Sequence, residues 1–163
     1  MRAYLSLGSN IGDSPTLLNA AVLDINQIGR VLATSRHYRS PAMYYTKQPD
    51  FLNMALTLET TLEPLALLTA LQTLENQHGR TRSFANSPRV LDIDIIDYNG
   101  LILDTPPLLL PHPRFAERAF VLRPLAEIAP DWVCPRTGMG IASLLEAIKN
   151  QHCVAIEENF SAS

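Results

Sequence analysis

The stretch FLNMALTLE, residues 51–59, decides how the chain folds. Leu52, Met54, Leu56 and Leu58 alternate with Phe51, Asn53, Ala55 and Thr57. A strict period of two makes this a strand with two unlike faces, one aliphatic and one carrying an amide. Working outward, AYLSL (3–7) reads as an earlier strand, followed by the loop GSNIGDSP. Ser14 and Pro15 then open a helix whose stripe is Leu18, Ala21, Val22, Ile25 and Ile28, with Gly29 as its stop. VLATSRHYR (31–39) is β-like. Past the deciding strand, a second helix starts near Pro64 and runs to about His78, with Leu67, Leu68, Leu71 and Leu74 inward and Gly79 ending it. A last strand, 90–98, closes on an Asn-Gly turn.

The order β-α-β-β-α-β predicts an α+β, ferredoxin-like fold: an antiparallel sheet with helices on one face, the other face free for a ligand, and C-terminal additions. Those additions are the Pro-rich DTPPLLLPHPRF (104–115), then AFVLRPLAEIAPDW (119–132) and a helix near 141–149. The final residues, polar apart from CVAI, are expected to fray. Two connections, 40–50 and 79–89, exceed the usual length, which marks them as functional or mobile.

With 163 residues, 47 % apolar and 18 % charged, the chain suits one globular domain over 1–163, of a size that suits a monomer. A net charge of −3 argues against broad nucleic-acid binding. No segment approaches a membrane span. Cys134 and Cys153 form no disulfide framework and no metal-ligand spacing, which points to reduced thiols in a cytoplasmic protein. Among 13 basic residues only Lys47 and Lys149 are lysines, so phosphate binding falls to arginines, whose guanidinium groups bind phosphate in bidentate fashion.

The strand SPRVLDIDIIDYNG (87–100) poses a question. Asp92 and Asp94 share a face while Leu91, Ile93 and Ile95 take the other. Two strand rises separate the pair by about 6.6 Å, where two carboxylates repel by roughly 2.5 kcal/mol at an effective dielectric near 20. An open, solvated face would tolerate them. So would a cation. Asn53 belongs to the same open face; Arg80, Arg82 and Arg89 lie in the loop just before; and PHPRFAER adds His112, Arg114 and Arg118 after the strand. Paired carboxylates ringed by arginines describe a nucleotide-phosphate site, where Mg²⁺ takes one or two carboxylates and fills its shell with phosphate oxygens and water. A P-loop is excluded, since no G-x-x-x-x-G-K-[ST] occurs.

The pieces LGSNIGD, YRSPAM, QPDFLNMA, LENQHGRTR, PRVLDIDIID and LPHPRFAERAFVLRPLAEIAP together resemble the 6-hydroxymethyl-7,8-dihydropterin pyrophosphokinases of folate biosynthesis, over about residues 3 to 135. The resemblance implies transfer of pyrophosphate from ATP to the pterin hydroxymethyl group, with release of AMP. It implies two Mg²⁺ ions on Asp92 and Asp94, and catalytic roles for these two and for Arg80 and Arg89. A pterin is implied against Asn53, between the rings of Phe51 and Phe120, beside the loop of Ser40, Pro41 and Met43. ATP is implied against Gln72, Glu75, Arg82, Arg89, His112 and Arg118, with Ile95 lining the adenine pocket or packing there.

The sequence departs from the family pattern at SFANSPR, where Ala85, Asn86 and Ser87 stand for a basic residue, an aromatic and a glycine. Pro107 likewise replaces an arginine. The altered 84–87 loop motivates an alternative reading, a pterin- or nucleotide-binding paralogue without catalysis. A different two-metal phosphoryl enzyme, such as a nuclease or cyclase, is a third; the negative net charge counts against a nucleic-acid substrate.

Overall fold

The computed structural model describes residues 1–9, 14–40, 51–78 and 91–156. The deciding strand runs Phe51–Glu59 (β4) and sits beside Arg2–Ser9 (β1) in an antiparallel pair that matches Leu5 with Leu56 and Gly8 with Asn53. On the other flank of β1 lies Asp92–Tyr98 (β5), again antiparallel, which makes β5 an edge of the sheet. Helices Ser14–Ile28 (α1) and Pro64–Gln77 (α2) connect these strands. Both pack on the aliphatic face, where Leu5, Leu7, Leu18, Ile25, Leu56, Leu58, Leu67 and Leu71 are nearly or completely buried. The ferredoxin-like order is therefore observed, with Asn99 (φ 53°) and Gly100 (φ 73°) forming the turn after β5.

The β-like run 31–39 is two strands, Arg30–Thr34 (β2) and Tyr38–Ser40 (β3), which line the same side of β4 end to end. From Thr34 to Tyr38 the chain advances four residues while its partner moves three, from Leu56 to Asn53. Ser35 bridges the mismatch: its amide donates to the Ala55 carbonyl at 2.9 Å and its hydroxyl accepts from the Ala55 amide at 2.9 Å. The extra residue is thus absorbed without leaving the Ala55 backbone unpaired.

The second face of the sheet is not free along its whole length. The Pro-rich segment forms a small hairpin, Leu103–Thr105 (β6) with Leu108–Leu110 (β7), and then a single 3-10 turn, Phe115–Glu117. Helices Ala119–Ile128 (α3) and Ile141–Ala147 (α4) follow and build a second core of Val121, Leu122, Leu125, Ile141 and Leu144 against Ala55 and Ile96. Phe115 meets Trp132 edge to face, with ring centroids 5.3 Å apart. α3 is tied to the sheet by Glu127, which accepts from the Arg36 amide at 2.9 Å and from the Tyr38 hydroxyl at 2.6 Å. The CVAI residues do not fray. Val154–Ala155 (β8) pairs with β3, and Cys153 is buried beside Tyr38 and Ala119. Among the described residues no helix is long and apolar enough to cross a membrane.

Candidate active site

Pairing in an antiparallel sheet puts partnered residues on one face. Asn53, Gly8 and Asp92 therefore form one row across β4, β1 and β5, and Ala55, Ser6 and Asp94 form the next. Tyr38 pairs with Asn53, and Ser40 with Phe51, which extends the same face to β3. Ser40, Phe51, Asn53, Asp92 and Asp94 all lie on it, outside the apolar cluster that α3 and α4 build. Asp92 and Asp94 are half-buried; Ser40 and Asn53 are buried.

Gly8 belongs to this row although the sequence pattern did not single it out. A Cβ built there would lie 2.5 Å from Asn53 Nδ2, so the amide rests on the bare backbone of β1. Glycine inside a strand marks such a close approach, and that signal was available in LGSN. Asn53 Oδ1 is buried and finds no hydrogen-bond donor among the described residues. A buried acceptor left unmatched costs about 1–3 kcal/mol, so this oxygen is suited to a ligand N–H.

The edge position of β5 explains two other residues. Its outward amide at Ile93 donates to Glu75 Oε2 at 2.7 Å, and its Ile96 carbonyl accepts from the His112 amide at 2.9 Å. Glu75 is 5 % exposed, so it is neither a solvated helix edge nor a surface carboxylate; it caps the sheet edge from α2. Gln72, three residues earlier on α2, is exposed. Ile95 packs with Leu5 in the main core, on the face opposite the two aspartates. Asp97, the third acid of the strand, is buried beyond a β-bulge at Tyr4/Leu5, and Gly100 donates to its Oδ2. Burial raises its carboxyl above the ordinary range, against the pull of the Gly100 amide and the Trp132 side chain.

The backbone bond to Ile96 fixes His112 beside β5. Its Nδ1 accepts from the Arg114 amide at 3.1 Å, which leaves Nε2 to carry the proton of the neutral ring. Burial lowers its pKa; Asp94 opposes this, while Arg118 and Arg114 add to it. Asp94, His112, Arg114 and Arg118 thus share one electrostatic neighbourhood. Arg118 sits at the start of α3 with its guanidinium 5.5 Å from the Phe120 ring centroid, and Phe120 is half-buried against α4 and the C-terminal segment.

Among the described residues no group of three or more His, Cys, Asp or Glu side chains comes together. Two carboxylates without a third ligand suit Mg²⁺, which completes its shell from phosphate and water. Pro41, Met43, Arg80, Arg82 and Arg89 lie outside the described residues, as does the altered 84–87 loop.

Comparison with known proteins identifies the family. The family model described as 7,8-dihydro-6-hydroxymethylpterin-pyrophosphokinase matches residues 4–130. The 2-amino-4-hydroxy-6-hydroxymethyldihydropteridine pyrophosphokinase of Bacillus subtilis is 46 % identical over 128 residues, covering 77 % of each chain. The enzyme of the same name from Methylorubrum extorquens is 47 % identical, covering 81 % of this chain and 85 % of its own. The folic acid synthesis protein fol1 of Pneumocystis carinii is 42 % identical over 89 % of this chain, which spans only 20 % of that longer protein. In structure, the Plasmodium falciparum HPPK-DHPS with pteroate matches 90 % of this chain and 42 % of its own at TM-score 0.73 and 14 % identity, a likeness of fold. The chain belongs to the 7,8-dihydro-6-hydroxymethylpterin-pyrophosphokinase family.

Proposed function

We propose that the protein transfers pyrophosphate from ATP to 6-hydroxymethyl-7,8-dihydropterin, giving the pterin diphosphate and AMP. The carrying observation is the row Asn53–Gly8–Asp92, which sets a buried acceptor with no donor among the described residues across one intervening strand from an acidic pair. A pterin edge offers both donors and acceptors. Asn53 Oδ1 would accept from a ring N–H, and the Asn53 amide lies flat over Gly8 to present it. Phe51 and Phe120 would stack on the flat ring, and Ser40 would close its edge.

Asp92 and Asp94 would hold two Mg²⁺ ions. When bound, these supply charge neutralisation for the triphosphate and a lowered pKa for the attacking hydroxyl. Cations held there would offset the repulsion between two acids that share a strand face. His112, neutral through burial, can donate from Nε2 to a phosphate oxygen without adding a second proton to the site. Arg118 offers a fixed cation beside it. Arg80, Arg82 and Arg89 would clamp the phosphates, and Gln72 and Glu75 would flank the nucleotide from α2. We read residues 1–163 as one catalytic unit, acting as a monomer on small molecules rather than nucleic acid or membranes. Two buried free thiols fit a cytoplasmic setting.

Incubation with ATP, Mg²⁺ and the reduced pterin should yield AMP and the pterin diphosphate in equal amounts. Formation of ADP overturns the reaction type. Binding of both substrates without AMP release identifies a non-catalytic paralogue instead.

A further inference from the structure

Arg118 creates a capping problem. It is the residue before the first turn of α3, where Ser, Thr, Asp or Asn would ordinarily accept a hydrogen bond from a free helix N–H. An arginine side chain has donors only, and no side-chain cap is made from this position. The missing acceptor comes from a distant part of the chain. Gln151 Oε1 accepts from the Ala119 amide at 2.9 Å, and Gln151 Nε2 donates to the Glu117 carbonyl at 2.7 Å. A single side-chain amide therefore grips the backbone immediately before and immediately after Arg118.

Gln151 is itself held on both sides. Its amide donates to the Ile148 carbonyl at 3.0 Å, behind α4. Two residues on, Cys153 is buried against Tyr38 and Ala119, with Phe120 and Ile148 packed around them. Then β8 pairs with β3, and the Ile156 amide donates to the His37 carbonyl at 2.8 Å. The clamp is thus anchored to the strand whose last residue, Ser40, stands at the open end of the sheet face. Gln151 lies beyond the stretch, 4–130, that the family model matches.

We propose that Gln151 is a positioning residue, clamping the Glu117–Ala119 backbone so that the Arg118 guanidinium and the Phe120 ring are held at the substrate site. The functional half of this rests on the roles proposed above for Arg118 and Phe120. An arginine at the cap position destabilises the start of α3 locally, and the remote amide restores what the local sequence gives up. A cap that served stability alone would be met more simply by Ser or Asp at position 118.

The test uses the full chain carrying Gln151→Met, which keeps length and loses both bonds, and Gln151→Glu, which keeps the acceptor and loses the donor. Asn26→Ala is the control: it removes a comparable side-chain acceptor, for the Val31 amide, at the far end of the sheet. Two readouts are compared, the ring-current shift of the Arg118 Nε–H resonance and the KM values for ATP and pterin. In Gln151→Met the Arg118 resonance should lose its shift and both KM values should rise roughly tenfold with kcat less affected, as expected for misplaced binding groups. Gln151→Glu should fall between, and Asn26→Ala should lower the melting temperature without moving either readout. Wild-type resonance and KM values in Gln151→Met would overturn the proposal, as would an equal KM rise in Asn26→Ala. A moved resonance in a protein that never releases AMP would leave the clamp standing and remove the pyrophosphokinase reading instead.

Discussion

The second face of the sheet is covered by helices at one end and left polar at the other. Around Tyr4, Ala55 and Ile96 it lies under α3 and α4, with Leu122 fully buried. Further along the same strands stand Gly8, Asn53 and Asp92, one row beyond Ala55, Ser6 and Asp94. Apart from the bulge in β5 at Ile96, the alternation runs on from end to end; what changes is the residue on the shared face, Ala55 to Asn53 on β4 and Ile96 to Asp94 and Asp92 on β5. Alternation decides which face a side chain joins. Chemistry along that face decides what can cover it. A helix laid over Asp92 and Asp94 would strand two carboxylates away from water, a penalty no aliphatic packing offsets. The polar end can be covered only by something that brings cations and hydrogen bonds of its own.

That contrast is most easily broken at the acids. Asp92→Asn and Asp94→Asn should each lower turnover at least about a hundredfold, the scale of losing one electrostatic contact to the transition state. Melting temperature should change much less than turnover, because both side chains are only half-buried. Calorimetry on the two variants would undo the comparison if it found them strongly destabilised. The covered end should behave in the opposite sense. Leu122→Ala, at 0 % exposure, should cost about 2–5 kcal/mol in denaturant unfolding. Its KM per folded molecule should change much less than that loss suggests.

The fold was largely legible in the chain because its strands alternate cleanly and its helices stop at Gly29 and near His78. The Asn-Gly turn and the shared face of Asn53, Asp92 and Asp94 were legible for the same reason. The covering of half that face was not. It depends on where α3 returns, and a hairpin of three-residue strands around Pro106 and Pro107 carries too little pattern to show it. Glu75 was legible only in part: the resemblance puts it beside the nucleotide, but its bond to the Ile93 amide follows from β5 being an edge strand, which the sequence does not show. Gln151 was invisible, since its bonds join residues more than thirty positions apart.

A smaller effect sharpens the boundary between the two ends. Gly8→Ala should weaken pterin binding about tenfold while leaving the core intact, because the new methyl displaces the Asn53 amide and not a packed side chain. The double variant with Asn53→Ala decides whether Gly8 acts through Asn53. If it does, adding Gly8→Ala to Asn53→Ala should change binding little. Fully additive losses would mean that the glycine serves the ligand by another route.

The smallest effect concerns the tie between the covering helix and the sheet, Glu127. Burial raises the pKa of this carboxyl, but hydrogen bonds from the Tyr38 hydroxyl, the Arg36 amide and the Arg36 guanidinium outweigh it, so the net shift is downward. A carboxyl whose folded pKa is depressed contributes stability above its unfolded pKa and loses it as pH falls through the folded value. Tyr38 behaves oppositely. Burial, then Glu127, raises its hydroxyl to about 12, so its share is present below its ordinary pKa and is lost as pH climbs toward that value. Glu127→Gln should therefore destabilise the protein across neutral pH, by no more than about 1 kcal/mol because the Arg36 side of the network is open to solvent. The difference from wild type should begin to shrink as pH drops below about 4, where the unfolded carboxyl takes its proton before the folded one does. Melting curves at pH 7 and pH 3 measure it. A gap between the two proteins that stays constant over that span would mean that Glu127 holds α3 by shape and not by charge.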